Sequence, residues 1–142
     1  MSDRIKIEVV RKVGTPEGWD LEDNPTLRRI IEWALNESLE NFTHKVLKAT
    51  CKASKIDVTE ADNIWVRVGY STEPKCGFCY RQKGTRVAEM PDIFAGWAND
   101  VRDFAETIAH EGLHALGWGE KMIEEKAVKI AASVLKSGVD NG

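Results

Sequence analysis

Residues 110–114 of the 142-residue chain read His110-Glu111-Gly112-Leu113-His114. On an α-helix, four residues turn through about 400°, so the second imidazole stands nearly over the first and both can address one ion. Glu111 lies about 100° away around such a helix, close enough to reach a water on that ion without joining the ligands. That is the chemistry of a hydrolase in which zinc activates water and a carboxylate takes its proton, provided the segment is helical.

The surrounding residues supply the helical phase. Val101, Phe104, Ala105, Ile108, Gly112 and Leu116 share one face, and His110 and His114 fall on the other side. A catalytic zinc needs three protein ligands and one open position. Past a break at Gly117-Trp118-Gly119, a further helix is expected from Glu120 to Leu135 with Ile123, Ala127, Ile130 and Val134 as its buried stripe. Glu124, about one turn into that helix, is the first choice for third ligand and Glu120 the second. Each acid is also accounted for as a charge favoured near a helix N-terminus. His44, on the far side of an earlier helix from its apolar stripe, reads as a surface residue. The expected cofactor is a single catalytic Zn2+ held by His110, His114 and one of those two acids, with Glu111 as general base.

The elements that must position this site follow from periodicity. Residues 4–13 alternate apolar with charged positions, a first strand. Asn24-Pro25 supplies a cap and a first-turn proline, opening one long helix to about residue 50 through Leu27, Ile30, Ile31, Ala34, Leu35, Phe42 and Val46. Its stripe is expected to cover a sheet. Residues 64–70 form a second strand, rich in β-branched and aromatic side chains. Residues 77–81 and 85–90 form a hairpin around Lys83-Gly84, ended by Pro91. The helix carrying His110 begins near Asp100. The expected class is α+β: a small mixed or antiparallel sheet with a long N-terminal helix, a zinc-binding helix and a C-terminal glutamate helix, all in one domain spanning residues 1–142.

Other chemistry-bearing residues add less. Cys76-Gly77-Phe78-Cys79 lacks the second cysteine pair of a structural zinc site, and Cys51 leaves such a set one ligand short, so inert thiols are expected. The five tryptophans are expected mostly in the core or lining a cleft, with Trp118 touching substrate. Tyr70 and Tyr80 are candidate oxyanion donors. An edge strand at 85–90 could hold an extended peptide by strand addition.

Composition narrows the partners. Twenty Lys and Arg against 23 Asp and Glu give a net charge of −3, no basic field for nucleic acid, so no DNA partner is expected. No apolar run approaches the length of a membrane span, and the N-terminus lacks the apolar core of a secretory signal, so neither a membrane nor export is expected. The location that follows is cytoplasmic.

His110-Glu111-Gly112-Leu113-His114 followed by Glu124-Glu125-Lys126-Ala127 resembles the gluzincin pairing of a zinc helix with a glutamate helix, in the compact form of minigluzincins and ImmA/IrrE-type peptidases. The motif match covers about 25 residues, and element order carries the rest. The resemblance implies a zincin-like metallopeptidase acting on a polypeptide substrate, with Glu124 as third ligand. Where that pattern often has Asn or Asp one turn after the ligand Glu, this chain has Val128. Gly117 and Glu120 also fall where metzincins have their turn glycine and third ligand, but only 22 residues follow Glu120. Residues 113–118 resemble YbeY-type zinc endoribonucleases, in which Gly usually follows the first His; Glu111 stands there instead. The alternatives carried forward are therefore zinc-dependent RNA cleavage and a non-catalytic peptide-binding domain.

Overall fold

The computed structural model describes the backbone at residues 6–8, 19–20, 25–54, 65–68, 70–71, 77–81, 91–95, 100–116 and 120–140, and side chains at 26–54, 66, 93, 95, 100–116 and 121–136. Its body consists of four helices: α1 (Pro25–Leu35), α2 (Leu39–Ala53), α3 (Val101–Ala115) and α4 (Glu120–Asp140). Among the residues with described side chains 86% are helical, which overturns the expected α+β class in favour of a predominantly helical fold. The physical reason lies in what the apolar stripes cover: α3 packs against α2 and α4, α2 also meets α4, and the described core is chiefly helix against helix.

Among the described residues, extended backbone is confined to short segments of two to five residues: β1 (Lys6–Glu8), β2 (Trp19–Asp20), β3 (Trp65–Val68), β4 (Tyr70–Ser71), β5 (Gly77–Arg81) and β6 (Pro91–Ala95). Four of them pair in the order β1-β3-β6-β5, parallel except for β5 with β6, while β2 pairs with β4. They contribute Val66, Ile93 and Ala95 to the described core, and β5 and β6 lie against α3. Pro91 begins a paired segment, opposite Arg81, where the sequence pattern had it ending one; proline is tolerated at a first strand position because a missing N–H matters least there. The expected strand at 85–90 and its turn at Lys83-Gly84 lie outside the described residues.

The single long N-terminal helix is also corrected, since it is two helices broken at residues 36–38. Asn36 adopts φ 50°, the left-handed conformation that asparagine tolerates better than most residues. Ser38 then caps α2: its hydroxyl accepts from the Asn41 N–H at 3.2 Å, and its carbonyl accepts from the Phe42 N–H at 3.0 Å. Across the bend, Arg28 grips both carboxylate oxygens of Glu40 at 3.0 and 3.2 Å, which sets how α1 meets α2. Trp33, expected inside, is 88% exposed because it projects about 200° around α1 from the buried Ile31.

The interior joins Leu27 and Ile31 of α1, Leu39, Phe42, Val46 and Leu47 of α2, and Phe104, Ala105 and Ile108 of α3. The Phe42 and Phe104 rings stack at 6.2 Å with planes 30° apart. Thr43 and Thr50 are buried without leaving their hydroxyls unpaired, since each donates back to the carbonyl four residues earlier, at 2.8 and 2.7 Å. Among the described residues, no helix is long and apolar enough to cross a membrane.

Candidate functional site

Helix α3 begins at Asp100, whose carboxylate accepts from the Asp103 N–H at 2.7 Å and so satisfies one of the orphan donors of the first turn. It ends at Leu116, whose N–H closes on the Gly112 carbonyl at 3.0 Å. The helix therefore holds residues 110–114 entire. Its orientation follows from burial: Val101, Phe104, Ala105, Ile108, Gly112 and Leu113 are buried, while His110, Glu111 and His114 are only partly covered.

Gly112 sets the depth of α3 against α2. A Cβ at this position would stand 3.2 Å from Leu47 Cδ2 and 3.4 Å from Thr50 Cγ2, so α2 rests directly on the backbone of the motif. The histidines are thereby displayed on the side away from a close helix–helix contact.

The two imidazoles are neighbours, with ring centroids 5.1 Å apart and planes inclined at 64°. Zn–N bonds of about 2.0–2.1 Å would put each centroid about 3.2 Å from a tetrahedral ion and the two centroids about 5.2 Å apart. The rings fit that spacing. The nearer carboxylate oxygen of Glu111 lies 4.0 Å from His110 Nε2, beyond a direct hydrogen bond and within the span of a bridging water.

A cleft of about 320 Å³ opens beside these residues, between α3 and α4. His110 and Glu111 line it from α3, and Glu124, Ala127 and Val128 line it from α4. Ala127 is buried on the stripe with Ile123, Ile130 and Ala131, which seats α4 against the core and leaves Glu124 exposed at the cleft's rim. His114 stands one turn beyond His110 and does not line the cleft. Among the described residues no three His, Cys, Asp or Glu side chains converge closely enough to hold a metal ion. Glu120 opens α4, but its side chain lies outside the described residues, as do Cys76, Trp118 and the turn at 117–119. Tyr70 and Tyr80 sit in β4 and β5, with side chains likewise outside them. His44 is half-buried on α2, and Cys51 is fully buried.

Three further cleft residues went unread in the sequence: Asp103, Glu106 and Thr107. The signal was present, because they precede His110 by seven, four and three residues and so share its helical face. Compared with family models, curated proteins and solved structures, the chain matches none.

Proposed function

We propose that this protein is a zinc-dependent metallopeptidase, with His110 and His114 as metal ligands, Glu124 as the third and Glu111 as general base. The observation that carries the reading is the 5.1 Å separation of two imidazoles on one helix, with the Glu111 carboxylate beside His110 and Glu124 across the cleft that His110 lines. Two imidazoles and a carboxylate form a donor set suited to catalytic zinc, which when bound lowers the pKa of a coordinated water and polarises a carbonyl. The role of Glu111 follows from its place: its carboxylate accepts a proton from water in the cleft and returns it to the leaving amine. The resemblance to minigluzincins points the same way.

Peptide is favoured over RNA by charge. Among the described residues, four acids, Asp103, Glu106, Glu111 and Glu124, line the cleft beside His110, with no lysine or arginine among them to receive a phosphate backbone. We place the activity in the cytoplasm.

The test is metal analysis of the purified protein beside parallel digests of casein and labelled RNA, each with and without a chelator. One zinc per chain and chelator-sensitive proteolysis are expected. Cleavage of RNA alone, or proteolysis indifferent to metal, would overturn the proposal.

A further inference from the structure

We draw no further inference here: the strongest candidate, the Asp103 and Glu106 carboxylates on the α3 wall of the cleft, belongs to the acidic lining of the site already described, and among the described residues nothing beside it points to a further ligand.

Discussion

The His110 and His114 rings stand 5.1 Å apart with planes inclined at 64°, on the one stretch of α3 that Gly112 presses against α2. The rings are held by a helix that cannot rotate without moving the core. Zinc should therefore bind the folded state preferentially. At zinc a hundredfold above its dissociation constant, stabilisation of about 2.7 kcal/mol is expected. Thermal unfolding with and without zinc measures it, and the increment should vanish in His110→Ala and His114→Ala.

Glu111 is proposed to move a proton rather than hold the ion. Glu111→Gln should retain one zinc per chain and lose turnover by about 10²- to 10⁴-fold, the usual range for a positioned acid–base group. Metal analysis paired with a peptide assay separates the two effects. Unchanged proteolysis would remove Glu111 from the mechanism.

The third ligand is decided by comparing Glu124→Ala with Glu120→Ala. Glu124 lines the cleft with His110, so its loss should release zinc at chelator concentrations the wild type withstands. Glu120→Ala should retain the metal, and its only expected effect is the few tenths of a kcal/mol that an acid contributes in a first helical turn. The opposite ranking would move the ligand to Glu120.

Gly112 tests the packing beneath the site. Gly112→Ala gains about 1 kcal/mol of helix propensity and loses part of it by crowding Leu47 Cδ2 at 3.2 Å, so a net change under about 1 kcal/mol is expected. Gly112→Leu has no room against Leu47 and Thr50 and should cost about 1–3 kcal/mol as α2 is forced away. Denaturant midpoints distinguish the two, and a Leu variant as stable as wild type would show that α2 does not rest on Gly112.

The break between α1 and α2 gives a test remote from the chemistry. Ser38→Ala removes the side-chain acceptor of the Asn41 N–H and should cost about 1 kcal/mol. Asn36→Gly should be tolerated at φ 50°, whereas Asn36→Val should cost about 1–2 kcal/mol. Equal stability of the Gly and Val variants would mean the helix runs through.

The residues of the motif and their helical phase were determined by the sequence alone, because a 3.6-residue period is a local property that needs no knowledge of neighbours. Asp100 as the start of α3 and Glu120 as the start of α4 were legible for the same reason, through capping chemistry and a glycine-rich break. The interruption at 36–38 was also written locally, in an asparagine and a serine at cap positions, but the apolar period runs across it and masks it. Tertiary structure alone decided the rest. An amphipathic stripe states that it must be covered and is silent on the cover, so the sequence suggested a sheet beneath the first long helix where α2 rests on Gly112 of α3. Likewise only the packing of α4 against α3 brings Glu124 to the cleft that Asp103, Glu106 and Glu111 line. Charge gathered in a cleft is a property of two helices at once, and neither segment carries it in its own residues.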